Sequence, residues 1–265
     1  MDTLEEYQKK AVLFHALDDF FKTLIPDKNY KELNLGSIIS KEELEKCGYF
    51  DKNPDYLLLN ASIHEKDVEK VMKTKQVESS VIDDNTISFL IPAGCLNIYP
   101  LFKNRTDIEN VCITNCSRVF RRENTYTEGV RLKEFTQREI VFIGEQEYVR
   151  SMLDKFAENI FLFAQRINNQ ARIEAATDHF YATPMNRLAK RYQLINNTKR
   201  EVIIPINGND VACSSINYHN NSFSKAFNFA CNNRIVTGCV GFGVERWCSA
   251  FESNSCDRSI LNDLI

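Results

Sequence analysis

Phe120-Arg121-Arg122-Glu123, followed by Arg131-Leu132-Lys133-Glu134-Phe135-Thr136-Gln137-Arg138-Glu139, and far downstream Gly238-Cys239-Val240-Gly241-Phe242-Gly243-Val244-Glu245-Arg246, decide how this chain reads. The first pair predicts a strand over 117–123, a polar turn from Asn124 to Gly129, and a returning strand over 133–143. The last predicts a strand near 234–242 that opens at Gly243 into a helix running to about Glu252. Working outward, residues 4–24 carry apolar side chains at helical spacing, ended by Pro26 and Asp27. Residues 32–39 read as a strand and Lys41 to Lys46 as a short helix, with a strand near Tyr56 to Leu59. Asp67 to Lys75 reads as a helix, and Ile87 to Ile91 as a strand. Glu145 to Asn169 is the longest helical pattern, with Val149, Met152, Phe156, Ile160 and Phe163 on one face. Strands follow near 171–176, 200–206 and 211–218. Strands and helices in this order imply an α+β fold, an antiparallel sheet flanked by helices in a single domain over 1–265, and not a doubly wound parallel sheet.

The residue types at these motifs suit a bound triphosphate. Arg121 can hold two phosphate oxygens at once. Glu123, two residues on, shares its strand face and can accept from an adenine amino group. Phe135 offers a ring for the base, with Arg246 over the other side. Gly241 and Gly243 let backbone and nucleotide approach closely. Arg131, in or after the loop, is the candidate for the terminal phosphates.

A second constellation is metal-like. Cys95 follows Pro92-Ala93-Gly94, Glu139 closes the second strand, and Cys239 stands just before the glycines. Two thiolates and a carboxylate make a three-ligand zinc set with one open position, which the amine of an amino acid could fill. His219 is a lesser candidate ligand, and Cys112 and Cys116 read as structural.

The 265 residues carry a formal charge of -3, and the basic clusters are short, Arg118 to Arg122 and Lys199-Arg200. A broad nucleic-acid footprint normally needs a basic stripe. The acidic N-terminus is no signal peptide, and no apolar run reaches membrane-spanning length. Cys47, Cys95, Cys112, Cys116, Cys213, Cys231, Cys239, Cys248 and Cys256 are odd in number and irregularly spaced. That pattern argues against a disulfide scaffold and for a reducing cytoplasm.

The F-R-x-E strand, the returning strand and the late G-x-G-x-E-R resemble the ATP site of class II aminoacyl-tRNA synthetases. More narrowly, the chain resembles the amino acid:carrier protein ligases, truncated homologues of the atypical zinc-dependent seryl-tRNA synthetases of methanogens. Leu44 to Tyr49, Pro92 to Pro100, Phe120 to Glu123, Arg138 to Gly144, Ala176 to Phe180, Ala212 to His219 and Thr237 to Gly243 carry that likeness in collinear order. The resemblance implies the class II catalytic sheet, a homodimer, and adenylation of a small amino acid, glycine or alanine, with ATP and Mg2+. Transfer to the phosphopantetheine thiol of a carrier protein follows from it, with no tRNA and no membrane. It implies one zinc ion on Cys95, Glu139 and Cys239, catalytic roles for Arg121 and Arg246, and ATP contacts from Glu123, Arg131, Phe135 and Gly243. Asp178, Ser215 and Asn217 would line the amino-acid pocket, and Lys199 and Glu201 also match family positions. His179 departs from a common proline, and Val211 stands where ordinary seryl enzymes hold magnesium, with Asp210 beside it. Two other readings compete. One is a tRNA-charging enzyme, against which stand the charge and the lack of an arm or anticodon domain. The other is a non-catalytic paralogue acting as a binding or regulatory module, against which stand the retained arginines and ligand set.

Overall fold

The computed structural model describes residues 3–229 and 234–261, so Cys231 lies outside the described residues. In chain order the elements begin with α1 (Leu4–Thr23), β1 (Lys31–Leu33), β2 (Ile38–Ile39), α2 (Lys41–Lys46), α3 (Tyr49–Lys52), β3 (Leu58–Ile63), α4 (Val68–Thr74) and β4 (Ile82–Leu90). They continue with β5 (Val111–Phe120), β6 (Glu134–Glu145), α5 (Gln146–Ile167), β7 (Arg172–Ala175), α6 (Pro184–Ile195), β8 (Lys199–Ile206), β9 (Asn209–Asn220), α7 (Ser222–Ala226), β10 (Ile235–Gly243) and α8 (Val244–Ser253). Seven strands form one sheet in the order β1-β5-β6-β10-β9-β8-β7, and β2-β4-β3 form a small second sheet. In the large sheet β1 runs parallel to β5, and every other pairing is antiparallel.

Alternation along the central strands divides the interior in two. Ile140, Phe142, Val240 and Phe242 face a core shared with α1, α5 and α8, where Phe21 stacks on Phe242 at 4.0 Å. Val141, Ile143 and Cys239 face the other way, onto a core that includes Cys95, Leu96, Ile98 and Tyr99. Helix α5 offers Val149, Leu153, Phe156, Ile160 and Phe163 at helical spacing to the first core. It packs so close to β10 that a Cβ at Gly238 would lie 2.7 Å from Leu153 Cδ1. Among the described residues no helix is long and apolar enough to cross a membrane.

Several boundaries differ from the sequence reading. The strand expected over 32–39 is two strands in two sheets, because the chain crosses between them: Leu35 N–H donates to Asn115 Oδ1 in the large sheet, and Ile91 N–H to Ser37 O in the small one. β5 ends at Phe120, so Arg121 to Glu123 follow the strand, although Arg121 N–H still bonds Lys133 O at 2.9 Å. Glu139 lies within β6, which continues to Glu145. Helix α6 was not read at all. Its start signal is present, with Thr183 as N-cap and Pro184 at the first position. Its Met185, Leu188 and Ile195 are exposed, so it lacks a buried apolar stripe.

Candidate metal and nucleotide site

The sheet's second face is built by register. Glu139 of β6 pairs with Gly241 of β10, which pairs with Ser215 of β9, which pairs with Glu201 of β8. One step along, Cys239 pairs with Asn217, which pairs with Lys199. Directly paired residues and those two apart share a face, so these polar side chains gather on one surface. Cys95 is delivered to it from outside the sheet, by a 3-10 turn over Gly94–Asn97. Gln137, two residues before Glu139, pins that turn: its Oε1 accepts from Gly94 N–H at 3.1 Å. The sequence reading missed Gln137, although its i, i+2 relation to Glu139 was a usable signal.

Ligand atoms of Cys95, Glu139 and Cys239 all lie within 4.8 Å of one another, and all three residues are buried. Glu139 Oε2 is buried with no hydrogen-bond partner. Burial pushes the Glu139 carboxyl up to about 7. Contact with Cys95, together with burial, holds the Cys239 thiol well above its ordinary value. Three acidic groups crowded out of water resist ionising together, and a divalent cation reverses that balance. The donor set therefore fits a metal, and two thiolates with one carboxylate suit zinc chemistry. Glycines make the seat: a Cβ at Gly94 would lie 3.1 Å from Glu139 Cγ, and one at Gly241 would lie 2.9 Å from Glu139 Oε1 and 2.7 Å from Gln137 Nε2.

Around this centre, Asn217 Nδ2 donates to Ser215 Oγ at 3.2 Å and to Cys239 Sγ at 3.5 Å. His219 Nε2 stands 3.7 Å from Cys239 Sγ, and burial pushes its pKa down to about 4. Lys199 Nζ bonds Asp178 at 2.7 Å and Glu201 at 3.3 Å. Burial opposes ionisation of Asp178, yet the Lys199 ammonium holds its carboxyl below the ordinary range. Gln193 of α6 donates to the same carboxylate at 2.6 Å, which ties that helix to the site. Asp178, Ser215 and Asn217 are thus gathered with the cysteines. Asp210 is not: it pairs with Arg172 at 2.6 Å, and Val211 is buried in the first core. The acidic side chain that β8 turns toward the site is Glu201.

The nucleotide side is arranged differently. Arg121 Nε donates to Pro92 O at 2.8 Å, and its guanidinium lies 5.1 Å from the Phe135 ring centre. Arg246 donates to Val130 O at 2.6 Å and Ala212 O at 2.7 Å. Glu123, Phe135, Gly243 and Arg246 line one small pocket. Glu123 and Arg131, expected to meet adenine and the terminal phosphates, meet each other at 3.0 Å. Glu245 accepts from Thr136 N–H through both carboxylate oxygens, each at 2.9 Å, and so fixes the first turn of α8 to β6.

Residues 74–255 match the family described as tRNA synthetase class II core domain (G, H, P, S and T). The chain belongs to this family. Among its curated relatives are Type-2 serine–tRNA ligases. That of Methanocaldococcus jannaschii is 22% identical over 260 residues, covering 89% of this chain and 50% of the relative. That of Methanococcus maripaludis strain C6 is 26% identical over 271 residues, covering 91% and 51%. The chain thus spans about half the length of the curated relatives it matches. Among solved structures, the M. kandleri SerRS in complex with A. aeolicus tRNASec superposes with a TM-score of 0.78 at 18% identity, covering 96% of this chain and 55% of that one. The Naegleria fowleri serine-tRNA ligase in complex with AMP gives 0.67 at 13% identity, covering 93% and 49%.

These relatives correct one expectation. A class II catalytic sheet is what the sequence implied, and the family and the superposed fold bear it out. The carrier-protein acceptor, with glycine or alanine as substrate and tRNA excluded, is overturned. The curated relatives are named for serine and tRNA, and the superposed M. kandleri structure holds a tRNA. The ligand and nucleotide residues among those quoted for the resemblance serve activation of the amino acid, a step that does not record the acceptor. The low charge was read as excluding tRNA, but a net charge of -3 averages over the surface and does not decide the acceptor.

Proposed function

We propose that this chain activates serine with ATP as the seryl adenylate and passes it to the 3′ end of a tRNA. The support for the first half is a coincidence in space. Arg121, the phosphate-binding candidate, is tied through Pro92 to the turn that carries Cys95, and the turn is tied through Gln137 to the strand that carries Glu139. Such ties would keep an amine-selective centre beside a phosphate-binding cation. The support for serine and tRNA is the naming of the relatives.

Cys95, Glu139 and Cys239 would hold one zinc ion, which when bound supplies a Lewis-acid position selective for a free amine. Arg121 binds the α-phosphate of ATP and neutralises charge as the substrate carboxylate attacks phosphorus. A carboxylate-oxygen-to-phosphorus bond forms, the α–β bridging bond breaks, and pyrophosphate leaves. Mg2+ brought with ATP would supply charge neutralisation at the departing phosphates. Arg246 and Phe135 enclose the adenine. Glu123 accepts from its amino group once Arg131 turns to the terminal phosphates. Asp178, Ser215 and Asn217 line the amino-acid pocket. The ribose hydroxyl of the acceptor then attacks the carbonyl, and AMP leaves. Most of the acceleration in such a site is positioning and charge neutralisation.

The test is amino-acid-dependent ATP–pyrophosphate exchange with serine, glycine and alanine, on protein of measured zinc content, followed by charging of total tRNA with the preferred amino acid. Serine-dependent exchange with charged tRNA is the expected result. Exchange with glycine or alanine and not serine would overturn the substrate. Exchange without charging would overturn the acceptor.

A further inference from the structure

His219 is not used by the activation chemistry, yet its position is highly constrained. It follows Asn217 by two residues on β9 and so faces the same surface. Its ring stands edge-on to Phe223, with centroids at 4.9 Å, and Phe223 stacks on Tyr99 at 3.9 Å. On one side its Nδ1 lies 3.3 Å from the Tyr99 hydroxyl and 3.2 Å from the Thr237 hydroxyl. On the other its Nε2 lies 3.7 Å from Cys239 Sγ.

We propose that His219 is a positioning residue for the metal-site thiolate: its Nε2–H donates to Cys239 Sγ, and its bare Nδ1 accepts from a neighbouring hydroxyl, that of Thr237 or Tyr99. The tautomer follows from donor and acceptor chemistry. A metal-bound thiolate has no proton and can only accept, so the nitrogen facing it must carry the hydrogen. In a neutral imidazole the other nitrogen is then an acceptor, and a hydroxyl can turn its hydrogen to meet it. Asn217 Nδ2, at 3.5 Å, is the second N–H aimed at the same sulfur. Two donors fix the direction of the Cys239 sulfur and spread its charge, as partners behind metal ligands do elsewhere. This inference rests on the zinc reading above.

The first measurement is made on the zinc-loaded wild-type protein with 15N-labelled histidine. The chain has 4 histidines, and His219→Gln identifies the resonance that belongs to this one. The expected result is a protonated Nε2 and a bare Nδ1, whereas a protonated Nδ1 would overturn the proposal. The second measurement is zinc affinity by competition with a chromogenic chelator, with circular dichroism to check the fold. His219→Leu should weaken binding about 10–100-fold, the range for lost partners of metal ligands. His219→Gln, whose amide can present an N–H at the same reach, should retain most of the affinity. Wild-type affinity in His219→Leu would sink the idea. If that variant fails to fold, the wild-type resonances still decide. A folded wild-type protein that retains no zinc would instead overturn the metal reading itself, an outcome separable from a zinc-loaded protein with the wrong tautomer.

Discussion

The two halves of the site differ in how ready they are. At the metal end three buried ligands already converge to within 4.8 Å, glycines clear the space around Glu139, and Gln137 holds the incoming turn. At the candidate nucleotide end the side chains are engaged with the protein itself. Arg131 pairs with Glu123, Arg121 bonds Pro92 O, and Arg246 bonds two carbonyls. Selection of a small, common group such as an amine benefits from a rigid seat, because little ordering remains to be done on binding. On the proposed function, ATP is large and brings enough charge to draw the half-exposed Arg131 away from Glu123. Specificity would then reside in the sheet, and the loop after β5 would adapt to ATP.

The largest expected effect removes a ligand from the rigid half. Cys239→Ser should abolish zinc retention, measured as metal per chain after dialysis, and with it amino-acid-dependent exchange. Full zinc occupancy in that variant would break the metal assignment. The same substitution should leave ATP protection against proteolysis of the loop at 124–129 intact, because the hydrogen bonds that Arg121, Arg131 and Arg246 make to Pro92, Glu123, Val130 and Ala212 do not involve Cys239.

A pH experiment sharpens the contrast. Glu139 has an ordinary value of 4.5 and is held at about 7 in the folded, metal-free chain. Between those values the folded state keeps a proton that the unfolded chain has released. Metal-free stability should therefore be fullest below about 4.5 and fall as pH rises through 7, by up to roughly 3 kcal/mol. Zinc requires the carboxylate, so its retention should run the other way and improve as pH rises. Chelator-treated melts at pH 5 and 7.5, with Glu139→Gln as the control lacking the carboxyl, isolate the contribution. Equal pH dependence in wild type and control would refute the assignment of the shift to Glu139.

Gly241→Ala probes the seat more gently. The new methyl would meet Glu139 Oε1 and Gln137 Nε2 at less than 3.0 Å, so the carboxylate or the amide must move. Overpacking of this kind costs about 1–3 kcal/mol, read as a lowered melting temperature together with weaker zinc binding. Gly208, with open space around its Cβ position but a φ of 76°, should lose stability on the same change without altering zinc.

How much of this was legible depended on periodicity and local spacing. The central strands and α5 announce themselves, the strands as unbroken buried runs such as Thr136 to Gly144 covered on both faces, and α5 by buried residues recurring every three to four. Cys95, Glu139 and Cys239 were legible as ligand types, and the structure brings them together from a turn and two strands. Helix α6 was illegible because its apolar residues face outward. The Glu123–Arg131 pair and the approach of His219 to Cys239 depend on how a loop folds back and on cross-strand register, which no local pattern specifies. The acceptor was misread for a related reason: adenylate chemistry uses the same residues whichever nucleophile takes the acyl group.

The smallest expected effect comes from the adaptable half. Arg131 and Glu123 form an ion pair in which the arginine is half exposed, and such pairs are worth about 0–1 kcal/mol. Arg131→Ala should therefore leave the melting temperature and zinc content almost unchanged. If Arg131 leaves Glu123 to hold the terminal phosphates, the loss should appear as a raised KM for ATP. A charged hydrogen bond of about 1.5–3 kcal/mol corresponds to roughly 10–100-fold. The KM for serine should not move. A drop in stability with no change in ATP affinity would reverse the comparison drawn above, making the pair a structural strut and the nucleotide half as rigid as the metal seat.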